Sequence, residues 1–315
     1  MVQDNRTFDK GAEPHMAALR EPRIHHATKK ATGAANPLSL ITQSERSLLS
    51  LLSSLSAPTI ADSKFTLHLQ ALKTALYNKE YEQAFGGEDD LFRKVYSVRW
   101  VPSRALVYRK VFVEMKLRDL LKNGGEVVFL GGGAGSEVLA LGSLLSSPTV
   151  TTAPVKITTY DFADWSSVLN SQVAALSAAT PTLNLTLNPI KHDILSFPLP
   201  SFPTLPTLIT LLFTASELFL QSRASTVQLL AHLTTTAPSG THLLVVESAA
   251  LALVPIGKDG RTYPMETLLD HALGKTWEII QEEDKKWYRM PEGAADCYPL
   301  KLENTRVLLR LYKKA

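Results

Sequence analysis

The run Gly131-Gly132-Gly133-Ala134-Gly135-Ser136-Glu137 stands directly after the apolar stretch EVVFL and directly before an apolar helical pattern. A strand ending in closely spaced glycines lets the backbone turn sharply and approach a ligand with no Cβ in the way. It also aims the N–H groups of the next helix at that ligand. Such a junction constrains the chain to an α/β architecture with a polar, nucleotide-like ligand at the strand end.

The rest of the chain agrees with that grammar. After Gly125, short β-branched or apolar runs alternate with helical stretches, as in a parallel sheet covered by crossover helices. Strands are predicted at Glu126–Leu130, Val155–Tyr160, Leu183–Pro189, Leu208–Phe213 and Leu243–Glu247, and helices at Ser136–Leu145, Trp165–Ala178 and Arg223–Thr235. Two final strands, Trp277–Glu282 and Arg306–Tyr312, lie in turn-rich sequence and predict an antiparallel hairpin at one edge of a seven-stranded sheet. Ser146–Pro154 and Ser196–Thr207 read as surface links.

Upstream, three amphipathic helices are predicted: Leu38–Leu55, opened by Pro37 and ended by Pro58; Asp62 or Ser63 to Phe85, stopped by Gly86-Gly87; and Pro102–Leu121, begun by its proline. Residues 1–37 lack apolar periodicity and read as a flexible, mildly basic leader. The resulting division is a leader (1–37), a helical region that could face RNA (38–122) and a ligand-binding α/β domain (123–315).

Composition removes several classes. The 315 residues carry a net charge of only +3, so a nucleic-acid partner must be argued from where the charges lie. One cysteine, Cys297, excludes an internal disulfide or a Cys-rich zinc site and reads as structural. Apolar runs end well before the roughly 18 residues a membrane-spanning helix needs, and no basic-then-apolar secretory signal opens the chain. The dispersed histidines form no metal-ligand spacing, and neither a G-x-S-x-G elbow nor a G-x-x-x-x-G-K-[ST] loop is present. Metal, hydrolase and ATPase readings lapse.

The glycine spacing narrows the ligand. Dinucleotide sites use G-x-G-x-x-G to bring a helix N-terminus to a pyrophosphate, whereas here the spacing is G-x-G-x-G followed by Ser136 and Glu137. A carboxylate is unfavourable beside a pyrophosphate but tolerable beside the amino and sulfonium charges of S-adenosylmethionine. At the end of the second strand, Asp161 can accept ribose hydroxyls and Phe162 can cover one face of an adenine. After the third strand, Asp193 can accept from the adenine amino group while the Ile194 N–H donates to the ring. The loop after the fourth strand, Thr214-Ala215-Ser216-Glu217, should face the transferred group and its acceptor.

The run from Gly131 to Glu137, followed by Asp161 and Trp165-Ser166 and then by LITLLFTASELF, HLLVVESA, YPMETLLDHAL and YPLKLENTRVLLRLYK, resembles the fungal large-subunit (25S) rRNA uridine-N(3) methyltransferase family. The resemblance covers roughly residues 60–315, includes Arg99-Trp100-Val101-Pro102-Ser103-Arg104, and omits the leader. It implies a class I, Rossmann-like S-adenosylmethionine-dependent enzyme that methylates one uridine in rRNA during ribosome assembly in the nucleolus. The substrate would be rRNA or a pre-ribosomal particle. Carried over by position, Gly131, Gly133 and Gly135 cradle the methionine end, Asp161 holds the ribose and Asp193 the adenine.

The family supplies no catalytic motif to transfer. Uridine N3 bears a proton on the pairing edge, so the base must be unpaired and the proton needs an acceptor; Glu217 is the candidate. No Asn/Asp-Pro-Pro-aromatic loop for an exocyclic amine follows the fourth strand, and no thiol is placed for carbon-5 chemistry. From Arg93 to Lys122 cations alternate with aromatics, making Arg99, Trp100, Arg104, Arg109 and Lys110 candidates for RNA contact. Three other readings stay open: the same fold acting on another RNA site, a protein or a small molecule; a non-catalytic ribosome-assembly factor; and, more distantly, a nicotinamide-dependent oxidoreductase.

Overall fold

The computed structural model describes residues 39–146, 152–198, 206–250, 253–256 and 261–315. The leader and parts of both predicted surface links lie outside the described residues. Helices α1 (Gln43–Ile60), α2 (Phe65–Tyr77), α3 (Tyr81–Phe85), α4 (Leu91–Glu114) and α5 (Leu117–Leu120) come first. The alternating part follows as β1 (Gly125–Leu130), α6 (Ser136–Leu145), β2 (Val155–Asp161), α7 (Ser166–Ala179), β3 (Leu185–Lys191), β4 (Pro206–Leu212), α8 (Ala215–Gln221), α9 (Arg223–Thr236) and β5 (His242–Ser248). A small hairpin, β6 (Leu253–Ile256) and β7 (Arg261–Pro264), precedes α10 (Met265–Leu273), β8 (Trp277–Tyr288) and β9 (Thr305–Lys314).

Seven strands form one sheet in the order β3-β2-β1-β4-β5-β9-β8, with β1 to β5 parallel and β9 antiparallel to both neighbours. This is the expected Rossmann-like, mostly parallel seven-stranded sheet with an antiparallel edge. Both faces are covered, which explains the unbroken apolar runs in the central strands. Val127 and Phe129 join the core beneath α1, α4, α6 and α7, while Val128 and Leu130 join the core beneath α8, α9 and α10. Successive strands are added to one side of β1 up to β3 and to its other side from β4 onward, so the strand order reverses between β1 and β4 and the crevice outside their carboxyl ends is the place for a ligand.

The parallel strands and α6, α7 and α9 form within about two residues of their predicted limits, and β8 runs on to Tyr288. The N-terminal helices differ. Helix α1 starts at Gln43 because Thr42 and Glu45 form a reciprocal capping box, and it runs through Pro58. In its last turn, a proline removes only one helical hydrogen bond. The second predicted helix is two helices, broken at Lys79, whose φ is 61°.

Pro102 lies inside α4 and does not begin it. Proline leaves the carbonyl four residues earlier without its helical donor, and the Tyr298 hydroxyl donates to that carbonyl, on Val98, at 2.6 Å. A residue far along the chain thus lets α4 continue. Neither α10 nor the β6–β7 hairpin is anticipated by the sequence reading.

Candidate active site

A cavity of about 450 Å³ opens at the switch point, bounded by the glycine loop, the ends of β2 and β4, and helices α2, α3 and α4. That is within the range of small-ligand pockets. Gly131, Gly133, Asp161, Phe162, Asp193, Ile194, Thr214 and Glu217 all line it, so the structure gathers most of the candidates from four strand ends. Gly135 does not line it. That glycine occupies a left-handed conformation (φ 80°) ahead of α6, and a Cβ there would come within 1.8 Å of the Gln172 amide oxygen. It serves the turn and the packing of α7.

Gly133 is required for proximity. A Cβ on it would stand 2.1 Å from Trp165 Nε1 and 2.5 Å from Asp161 Oδ2. Asp161 locks the loop from the other side: Oδ2 accepts from the Gly133 N–H at 3.2 Å, and Oδ1 accepts from the Ala163 N–H and Trp165 Nε1, each at 3.0 Å. Burial pushes the Asp161 carboxyl up to about 6, with those three donors opposing the rise. Each carboxylate oxygen has more than one acceptor direction, so ribose hydroxyls could be added to this set. Asp193 is exposed and accepts from the Leu195 N–H and the Ser196 hydroxyl, each at 2.9 Å, which fixes its loop beside buried Ile194.

Glu217, in the first turn of α8, accepts a hydrogen bond from the Tyr81 hydroxyl of α3. Partial burial raises its carboxyl above the ordinary range, while Lys79 opposes the rise. Beneath it, the buried carboxylate of Glu247 accepts from the Ser216 N–H (2.9 Å) and the Ser248 N–H (2.8 Å), tying the β4 loop to the end of β5. Phe213, the first residue of that loop, has φ 56°, a conformation costly for a side-chain-bearing residue and common at functional sites.

The basic and aromatic candidates of α4 separate. Trp100 and Arg104 line the cavity, Trp100 with its ring 4.8 Å from that of Tyr96. Elsewhere on the helix, Arg99 pairs with Glu303 and donates to the Lys301 carbonyl, Arg109 donates to Ser143 and Ser44, and Lys110 donates to the Arg289 carbonyl. Tyr77 and Tyr81 fall inside the second predicted amphipathic helix and Trp165 at the start of another, and none of the three stands out in sequence as a site residue. All three line the cavity, as do Phe85 and Tyr96. Helical periodicity holds no signal that would separate them from core aromatics; only the break at Lys79 redirects Tyr81.

Among the described residues, no cluster of His, Cys, Asp and Glu is placed to share a metal ion, and no helix is long and apolar enough to cross a membrane. The recessed acidic groups, the side-chain-free glycine loop and the paired aspartates at neighbouring strand ends fit an adenosyl ligand carrying positive charge.

The family described as "Putative SAM-dependent methyltransferase" matches residues 53–313. The 25S rRNA (uridine(2843)-N(3))-methyltransferase of Saccharomyces cerevisiae is 32% identical over 294 residues, spanning 80% of this chain and 79% of the relative. Among solved structures, magnesium protoporphyrin IX methyltransferase from Synechocystis PCC 6803 with bound SAM covers 81% of this chain and 99% of its own, at 11% identity and a TM-score of 0.43. The N-methyltransferase NodS from Bradyrhizobium japonicum WM9, in complex with S-adenosyl-L-homocysteine, covers 78% of this chain and 98% of its own, at 16% identity and a TM-score of 0.40.

Proposed function

The chain belongs to a family of S-adenosylmethionine-dependent methyltransferases, and we propose that it methylates N3 of a uridine in large-subunit rRNA. The observation that carries this acceptor is the identity with the yeast 25S rRNA uridine-N(3) enzyme over most of both chains. The cavity supplies matching chemistry: an aromatic mouth and a partly buried carboxylate beside the β4 loop.

When bound, S-adenosylmethionine supplies an electrophilic methyl group on a sulfonium. Gly131 and Gly133 would bring bare backbone to its methionine end, Asp161 would hold the ribose, Phe162 would cover the adenine, and Asp193 with the Ile194 N–H would read the adenine edge. Thr214 packs on Gly131, where a Cβ would stand 2.5 Å from its methyl group.

An extruded uracil would enter between Tyr81, Trp100 and Phe213, since unpaired bases are recognised by stacking on aromatic rings. Glu217, oriented by the Tyr81 hydroxyl, accepts the N3 proton, and the rise in its pKa on partial burial makes it a stronger base than a solvated carboxylate. Holding N3 in line with the methyl provides the rest through positioning. No covalent intermediate is required. The enzyme would act in the nucleus, at the nucleolus, on rRNA or a pre-ribosomal particle.

The test is incubation of purified protein with isotopically labelled S-adenosylmethionine and unmodified 25S rRNA, protein or metabolite pools, followed by mass spectrometry of digested nucleosides. Label in 3-methyluridine is the expected result. Label only in a protein or metabolite pool overturns the acceptor, and S-adenosylhomocysteine binding without any product identifies an assembly factor that no longer turns over. Glu217→Gln should lower turnover by about 10²–10⁴-fold with S-adenosylhomocysteine affinity retained; unchanged turnover removes Glu217 from the mechanism.

A further inference from the structure

Two opposite charges share the cavity without pairing. Arg104 reaches it from α4 and Glu137 from the first turn of α6. Glu137 is only 4% exposed, yet among the described residues its carboxylate takes no cation within ion-pair distance, and its one polar contact is its own backbone N–H. Its carboxyl carbon sits over the glycine loop, 3.8 Å from where a Cβ on Gly132 would be.

Arg104 is fixed differently. Its guanidinium lies 5.6 Å from the centre of the Tyr96 ring and 5.5 Å from that of Phe213, and one nitrogen donates to the Tyr96 hydroxyl. A guanidinium carries five N–H donors in a rigid fork. Two rings hold that fork in place, and among the described residues only Tyr96 draws on its donors. Electrostatics couples Arg104 to Glu137, so they are near one another but apart.

A held cation and a held anion, both recessed and separated, match a ligand that is itself a zwitterion. We propose that Arg104 receives the α-carboxylate and Glu137 the α-ammonium of the amino-acid moiety of the methyl donor. The assignment rests on the reading of the cavity as a methyl-donor site. It moves Arg104 from RNA contact to cofactor recognition. It also gives Phe213 a purpose for its left-handed backbone, which places its ring against the guanidinium.

The experiment is calorimetric titration of the full chain with S-adenosylhomocysteine and with 5′-methylthioadenosine, which keeps the nucleoside and thioether but lacks the amino acid. Arg104→Gln and Glu137→Gln should each weaken S-adenosylhomocysteine by 10-fold or more and leave 5′-methylthioadenosine within about twofold. Equal weakening of both ligands, or loss of RNA association with S-adenosylhomocysteine affinity unchanged, overturns the proposal. Should a variant fail to fold, the wild-type protein still decides. Decarboxylated S-adenosylhomocysteine should bind at least 10-fold more weakly than the parent, and equal affinity refutes the Arg104 contact; the desamino analogue tests Glu137 in the same way. If the wild type binds neither nucleoside, the methyl-donor reading itself falls.

Discussion

Glu137→Gln should change how the ligand-free protein responds to pH. Burial lifts the Glu137 carboxyl from 4.5 to about 7, with its own backbone N–H and Arg104 opposing the rise and Asp161 adding to it. A displacement of that size corresponds to roughly 3 kcal/mol between the protonation states. The sign follows from which state holds the proton more tightly. Below pH 4.5 the group is protonated in folded and unfolded chains alike, and it contributes no penalty. As pH rises towards 7 the unfolded chain ionises first, and above 7 the folded protein carries the full penalty of a buried, unpaired carboxylate.

Glutamine has nearly the same shape and does not ionise, so the variant lacks this loss. At roughly 1.5 °C per kcal/mol for a chain of this size, the melting temperature of Glu137→Gln relative to wild type should rise by up to about 5 °C between pH 4.5 and pH 8. Differential scanning fluorimetry without ligand measures it, and any constant offset from the amide cancels in the comparison across pH. Saturating S-adenosylhomocysteine should reverse the order near pH 8, because the ammonium group then pairs with the wild-type carboxylate. A wild-type-to-variant difference that stays flat across pH would refute the reasoning about burial.

Other expectations concern the glycine loop and α4. Gly133→Ala forces a methyl into Trp165 and Asp161, so it should lose about 1–3 kcal/mol in denaturant unfolding and most of its S-adenosylhomocysteine affinity; wild-type values would show that the loop shifts freely. Tyr298→Phe strips the donor from the Val98 carbonyl and should cost about 1–3 kcal/mol. Adding Pro102→Ala should recover part of that, since an alanine N–H can take over the carbonyl, and strictly additive effects in the double-mutant cycle would contradict the account.

The sequence alone determined the alternating sheet, its antiparallel edge and the position of the glycine turn. Strand alternation, helical periodicity and turn residues act on their own few neighbours, and those forces are the same wherever the segment ends up. The limits of α6 were readable to the residue for that reason. The candidate site was legible as far as its strand ends, because topology puts Asp161, Asp193 and Thr214 at one edge.

Tertiary structure decided the rest. Proline at 102 reads locally as a helix start, yet Tyr298 satisfies the carbonyl it orphans. Tyr81 fits an apolar stripe, but its hydroxyl meets Glu217. The cations of α4 read as one basic face, whereas Arg99, Arg104 and Arg109 meet Glu303, Tyr96 and Ser143 in different places. Periodicity records what a residue does to its own turn of chain. Which distant surface it meets, and therefore its burial, charge state and partners, is set only when the chain closes on itself.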